Sequence, residues 1–397
     1  MLGFAALTAN LPCKPCKPCK PCNPGKDLFT GFLGHFRLCL LKFFSGFSAN
    51  GLIMDTLLPI AAFSRLGQVV MVGLLLVSFL GGIVGCVNFF KRQPLLERTG
   101  SWLLLAANLI FLLGFILICW FHYQIYQLLP LELPDNLASW LNGQLAAMNK
   151  GAEYAMPLYN AASPPRYAIP VWIENEKYFF WFMCYALMAL FAHFRLPNHR
   201  FRAALLILLA GQVGLLFFAA DPFTNPLPRF MAEVAPWFEA DRLPPMARIG
   251  LFMKLYPRMI FYYNAEYMWL HPPLLFLSYA CITLTFVASC FMLVRREIAI
   301  EKLAYDSAKL GYFMLTLGML LGYPWALKAW GPNWWWDPKI CSSIMMWAVF
   351  STYLHTRLYA NRKGMWYFSA LLGILCFLAM IFTFLTSFYF PGEHTFQ

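Results

Sequence analysis

The chain has 397 residues, of which 60% are hydrophobic and only 12% charged, about half the charged share of a soluble globular domain. That balance excludes a soluble enzyme or binding module and indicates an all-α polytopic membrane protein. The net charge of +12 would suit a nucleic-acid binder, but no basic patch stands out on a polar domain, so no nucleic-acid partner is expected.

The first stretch, 1–66, reads as an N-terminal extension. Cys13, Cys16, Cys19 and Cys22 recur in a Cys-Lys-Pro repeat; proline at every third position favours an extended chain, and no histidine or second cluster completes a zinc spacing. Met54 offers a more ordinary start shortly before the first span, which marks residues 1–53 as a candidate start-site artefact. Residues 27–50 are apolar, but His35, Arg37 and Lys42 are costly at a bilayer centre. An interfacial helix suits them better.

From residue 67 onward, apolar windows long enough to cross the hydrocarbon core recur about eight times, near 67–90, 101–121, 178–194, 203–219, 274–294, 310–329, 340–356 and 366–388. The odd connectors between them are basic: Lys91, Arg92 and Arg98; Arg195, Arg200 and Arg202; Arg295, Arg296, Lys302 and Lys309; Arg357, Arg362 and Lys363. Under the positive-inside rule they are cytoplasmic. Two even connectors are long, 122–177 and 220–273, and are expected outside. Within the second, Met246 to Trp269 reads as a helix or helix pair on the outer membrane face. The division expected is a four-span half over 67–220 with its outer loop 122–177, and a second half over 221–397 containing the segment 330–338.

That segment runs Trp330-Gly331-Pro332-Asn333-Trp334-Trp335-Trp336-Asp337-Pro338. Indole faces on backbone that glycine and proline keep from being one continuous helix suit a platform for a flat apolar ligand with a cationic centre, although tryptophan also gathers at any membrane interface. His271, at the outer start of the fifth span, and His394, beyond the outer end of the eighth, are expected at the same level. They supply two neutral imidazoles for haem iron. At the inner ends of the third and seventh spans, His193 and His355 form a second candidate pair. Lys328, Lys339, Arg248, Lys254 and Arg258 are candidates for pairing with propionates.

These residues resemble the CcsA-type (ResC-like) cytochrome c biogenesis proteins, within a haem-handling group that includes CcmC and CcmF. The outer signature of that family, Trp-Gly-x-x-Trp-x-Trp-Asp-Pro, is matched by Trp330, Gly331, Trp334, Trp336, Asp337 and Pro338, and Tyr353 to Arg357 match the run that follows it. Where family members continue with Lys-Glu-Thr, this chain has Lys339, Ile340 and Cys341.

The resemblance implies an integral membrane protein of a bacterial inner membrane or its equivalent, holding haem b on the extracytoplasmic face. Trp330, Gly331, Trp334, Trp335, Trp336 and Asp337 would form the platform, with His271 and His394 as axial ligands and His355 as an inner ligand. It implies a component of a cytochrome c haem lyase that attaches haem to apocytochrome c, beside a CcsB/ResB-type membrane partner and a thioredoxin-like thiol reductant. A haem chaperone that passes haem to a separate lyase, or a b-type electron carrier using His193 and His355, are the rival readings.

Overall fold

The computed structural model describes residues 60–152, 155–238, 244–332, 334–356 and 363–392. The Cys-Lys-Pro repeat, the segment 27–50 and His394 lie outside these residues. Among the described residues the regular structure is helical, with the isolated bridge between Pro130 and Arg166 as its extended pairing.

The helices are α1 (Ile60–Phe90), α2 (Pro94–Leu128), α3 (Asp135–Met148), α4 (Glu176–Arg195), α5 (His199–Ala219), α6 (Pro228–Phe238), α7 (Pro245–Arg258), α8 (Tyr267–Val294), α9 (Ile298–Trp330), α10 (Pro338–Thr356) and α11 (Lys363–Tyr389). A π-helical turn, Met259–Tyr263, follows α7, and a 3-10 turn, Trp334–Trp336, precedes α10. The helices begin where the sequence permits. Asn198 caps α5 by accepting from the backbone N–H groups of Arg200 and Phe201, both at 3.1 Å, and Pro94 and Pro245 open α2 and α7, where their missing N–H has no cost.

Each expected span falls on a helix, and seven of these, among the described residues, are long and apolar enough to cross a membrane. The seventh expected span, 340–356, forms α10 but is not among the seven. Its 19 residues include Lys339, Ser342, Ser343, Ser351, Thr352 and His355, which dilute the apolar content that burial in lipid rewards. Several helices also outrun their apolar windows: α2 continues to Leu128, and α9 starts at Ile298, through Glu301, Lys302, Asp306 and Lys309. Hydropathy marks the apolar stretch, whereas the backbone ladder continues beyond it wherever packing holds the helix, as at Glu301 and Ser307, both buried.

Helices α1, α2, α4 and α5 pack on one another, α8 packs on α9 and α11, α10 packs on α11, and α4 meets α8. Small residues set the close approaches: a Cβ on Gly82 would stand 2.8 Å from that of Ala210, and one on Gly85 would stand 2.9 Å from the Ala203 carbonyl. Such contacts bring α1 and α5 to near backbone contact, the mode by which helices associate when lipid offers no hydrophobic contrast.

The ends of the bundle differ in composition. At one, Arg202 pairs with Glu97 at 2.7 Å and Asn198 bonds to Glu297 at 2.7 Å, so the first, third and fifth connectors meet. At the other, the long connectors interlock: Asn264 bonds to both Ala168 and Arg166, each at 2.8 Å, and the Tyr256 hydroxyl donates to the Pro157 carbonyl at 2.9 Å. The expected amphipathic stretch within 246–269 is α7 followed by the π turn and the start of α8.

Candidate haem-binding cavity

Two prolines inside α8 set the position of His271. Pro272 has no N–H, so the helical bond that would reach the carbonyl of Met268 cannot form. That carbonyl accepts instead from Trp172 Nε1 at 2.6 Å, which ties the first long connector to the top of α8. Trp325, on α9, donates through Nε1 to the Phe261 carbonyl at 3.1 Å and fixes the second connector in the same way.

His271 projects from α8 against a notch on α9. A Cβ on Gly322 would lie 2.6 Å from both Cε1 and Nδ1 of the ring, and one on Gly318 would lie 3.4 Å from the His271 carbonyl. No other side chain leaves room for the imidazole there. The ring Nδ1 lies 2.6 Å from the Gly318 carbonyl; a carbonyl can only accept, so Nδ1 carries a proton, and in the neutral ring Nε2 carries the lone pair. This is the orientation that metal-binding histidines take, with the second ring nitrogen tied to a backbone oxygen.

The tryptophan segment is a corner between two helices. Gly331 ends α9 with φ of +77° and ψ of −168°, in a region that L side chains rarely adopt. After the 3-10 turn, the Asp337 Oδ1 accepts from the backbone N–H groups of Lys339 at 2.9 Å and Ile340 at 3.4 Å, and so caps α10 with Pro338 in its first turn. Gly331 and Asp337 therefore shape backbone. Trp330 and Trp334 turn inward, with Trp330 edge-on to Trp325 at 4.6 Å and Trp334 edge-on to Tyr323 at 5.5 Å. Trp335 and Trp336 lie 4.8 Å apart, 50% and 69% exposed.

His271, Trp330 and Trp334 line one cavity of about 240 Å³ with Trp172, Tyr178, Tyr262, Met319, Trp325, Ile340 and Phe384 among its walls. Both long connectors contribute, Trp172 and Ile173 from the first and Arg229 and Tyr262 from the second. The charged side chains of the lining are Lys177, Arg229 and Lys339, all cationic. Burial raises the Tyr262 phenol above its ordinary range and keeps it a protonated donor.

Of the cations suggested by sequence for a propionate, only Lys339 reaches this cavity. Arg258 pairs with Glu233 at 2.6 Å, Arg248 donates to the Glu132 carbonyl at 3.2 Å, and Lys254 and Lys328 are exposed, the last with its ammonium 5.6 Å from the Tyr267 ring centre. Sequence reasoning missed Lys177, Arg229, Gly318 and Gly322. Only the Gly-x-x-x-Gly spacing of the last two was a local signal.

The other expected sites stand apart from the cavity. Gly331, Trp335, Trp336 and Asp337 are not in its wall. His355 is exposed near the far end of α10, its Nδ1 donating to the Ser351 carbonyl at 2.8 Å. His193 is 2% exposed, with Nε2 2.7 Å from the Ser101 hydroxyl on α2, so its bonding is to α2. Among the described residues, no group of three or more His, Cys, Asp or Glu side chains is placed to hold a metal ion, and His271 is the histidine in the cavity wall.

The cavity is smaller than the ~300–1,000 Å³ of ordinary ligand sites. A macrocycle seated against His271 would have one part enclosed and the rest beside the exposed indoles. An imidazole, flat aromatic walls and a charged lining made only of basic residues fit a dianionic haem.

Known proteins are similar to parts of this chain. A "Cytochrome c biogenesis protein CcsA" from Cyanidium caldarium is 41% identical over 83 residues, 21% of this chain and 28% of that protein. One from Piper cenocladum is 43% identical over 75 residues, 19% of this chain and 23% of that protein, and one from Synechococcus sp. (strain CC9902) 42% over 65, 16% and 21%. The chain thus aligns with less than a third of the length of these relatives. Among solved structures, "Cytochrome c Heme Lyase CcmF" superposes with a TM-score of 0.54 at 19% identity, covering 81% of this chain and 47% of that one, a likeness of fold. Residues 172–394, more than half of the chain and all of the cavity wall, match the cytochrome c assembly protein family. By that match, on a helical membrane architecture, the chain belongs to the cytochrome c assembly protein family.

Proposed function

We propose that the chain takes part in cytochrome c maturation by holding haem b at the tryptophan-segment cavity and presenting it for thioether attachment to apocytochrome c, as part of a haem lyase. The observation that carries this reading is the seating of His271: the Gly318–Gly322 notch and the Gly318 carbonyl hold the ring by Nδ1 in the wall of an aromatic cavity whose charged lining is basic, and we take Nε2 as the atom offered to iron. His394 is proposed as the opposite axial ligand, and His355, exposed on α10, as a ligand offered to haem shared with a CcsB/ResB-type partner. A thioredoxin-like reductant would keep the substrate thiols reduced, and the cavity would face the extracytoplasmic side.

Attachment adds each thiol of a Cys-x-x-Cys-His site across a haem vinyl group. A sulfur–carbon bond forms, the thiol proton ends on the neighbouring carbon, and no oxidant is consumed. The chain's residues position rather than react. His271 holds the iron, Trp330 and Trp334 hold the flat face, Lys177, Arg229 and Lys339 hold the propionates, and the small enclosed volume leaves the opposite edge outside for the apocytochrome.

The test is co-expression of the chain with a CcsB-type partner and an apocytochrome, followed by measurement of haem that stays covalently bound after denaturation. Covalent product that falls with His271→Ala supports a lyase. Haem that is bound by the chain and transferred, but never covalently attached without a further protein, would place it as a delivery protein.

A further inference from the structure

A second cavity, of about 820 Å³, lies among α4, α5, α11 and the start of α6, and shares Lys177, Tyr178, Arg229, Tyr262 and Phe384 with the first. Its lining is graded along the helices. At the connector end stand Lys177, Arg229 and Arg258, with Glu174, whose carboxylate is engaged by the N–H groups of Arg229 and Phe230, each at 3.0 Å. One to two turns deeper come Trp181 and Gln212. Deeper still the wall is hydrocarbon, ending at Leu208 on α5 and Phe377 on α11.

The depth is informative. From Ala219 to Leu208, and from Phe388 to Phe377, the cavity extends about 16 Å at 1.5 Å per residue, close to half of the ~30 Å hydrocarbon core. It therefore spans one leaflet, on the side of the tryptophan segment. Trp181 and Gln212 are each only 6% exposed, and Trp181 Nε1 and Gln212 Oε1 have no hydrogen-bond partner. Both side chains line the cavity, and buried polar atoms without partners at that level would be answered by a ligand with polar atoms there once the side chains turn toward it.

We propose that this cavity holds one phospholipid with an anionic headgroup. The headgroup lies beside Lys177 and Arg229, with Arg258 held by Glu233 at the rim, the glycerol esters lie at Trp181 and Gln212, and an acyl chain runs down between α5 and α11. An ester carbonyl accepts from Trp181 Nε1, and a half-turn of the Gln212 amide presents its N–H₂ to the other ester. A cationic end, a polar step below it and a hydrocarbon floor at mid-membrane depth reproduce the polarity profile of a lipid. A macrocycle with its polar groups on one edge would leave Trp181 and Gln212 unanswered. The bound lipid would back the shared wall formed by Tyr178 and Phe384, and so support the first cavity without entering it. This inference does not depend on haem being bound there.

The test is native mass spectrometry of the full chain, delipidated in mild detergent and titrated with phosphatidylglycerol or phosphatidylcholine. One equivalent of phosphatidylglycerol is expected to be retained, preferred at least about fivefold, the factor one cation confers near anionic lipid. Gly211 lines the cavity and a Cβ there meets nothing within 4 Å, so Gly211→Phe should fill the space and abolish retention. Gln212→Leu, which keeps the volume, should weaken it. Equal retention of the two lipids, retention unchanged in both variants, no retained lipid in the wild type, or a haem adduct that both variants remove would each overturn the proposal.

Discussion

The Nδ1 of His271 lies 2.6 Å from the Gly318 carbonyl, one turn from a second glycine, Gly322, whose missing Cβ makes room for the ring. A histidine on α8 is thus oriented by α9, and the tautomer that this bond enforces is the one with Nε2 available to iron. The proposed function rests on that orientation.

Gly322→Ala should separate orientation from helix stability. In a helix interior this change ordinarily stabilises by about 1 kcal/mol, yet here the new methyl would stand 2.6 Å from the imidazole and must displace it. The expected outcome is weakened haem retention with an altered Soret band in a folded protein. Gly73→Ala, where the methyl meets nothing within 4 Å, should leave the spectrum unchanged. Equal spectra for the two variants would mean that the notch does not set the ring.

The acidic residue of the tryptophan segment can be tested as a cap rather than as a charge. Asp337 accepts from the first N–H groups of α10, and asparagine caps nearly as well, whereas alanine costs about 0.5–2 kcal/mol. Asp337→Asn should retain haem binding and thermal stability, and Asp337→Ala should lower both. A full loss of haem binding in Asp337→Asn with an unchanged melting temperature would show that its charge is required.

The cationic lining predicts discrimination at the propionates. Wild-type protein should bind haem more tightly than haem dimethyl ester, by a factor that shrinks in Lys177→Met and in Arg229→Gln. Lys328→Met should not change it, because Lys328 is exposed outside the cavity wall. Titration followed by absorbance measures this directly; an identical preference in all four proteins would remove Lys177 and Arg229 from the site.

The inner histidines should behave differently from each other. His193 is buried against Ser101, so Ser101→Ala should cost about 1–3 kcal/mol for the unpartnered ring nitrogen and leave the haem spectrum of the isolated chain unchanged. His355 is exposed, so His355→Ala should cost little stability. Its spectral effect should appear only in the complex with the CcsB-type partner. An effect of Ser101→Ala on haem at wild-type stability would revive the pairing of His193 with His355.

Much of the architecture was legible because lipid imposes a simple constraint: a crossing helix must be apolar over about 20 residues, and the expected windows fall on α1, α2, α4, α5 and α8 to α11. Helix ends were less so, since α2 and α9 run on past the apolar windows through polar residues such as His122 and Glu301 that are buried against the rest of the protein. At the site, His271, Trp330 and Trp334 could be named because histidine and clustered tryptophan announce themselves. Lys177 and Arg229 could not, because each is one basic residue among many until folding brings the two connectors to the same wall. The local meaning of Gly331 and Asp337, a helix stop and a helix start, was written in Gly-Pro and Asp-Pro, but the platform reading assigned them to the ligand.

The central claim is that His271 ligates iron through Nε2. Its most direct test is the absorption spectrum of purified His271→Gly protein, with and without added imidazole, beside the wild type. The account predicts that the variant loses the wild-type haem spectrum and regains it with imidazole, which occupies the space left on α9. A wild-type spectrum in the variant without imidazole would contradict it and place the iron on another side chain.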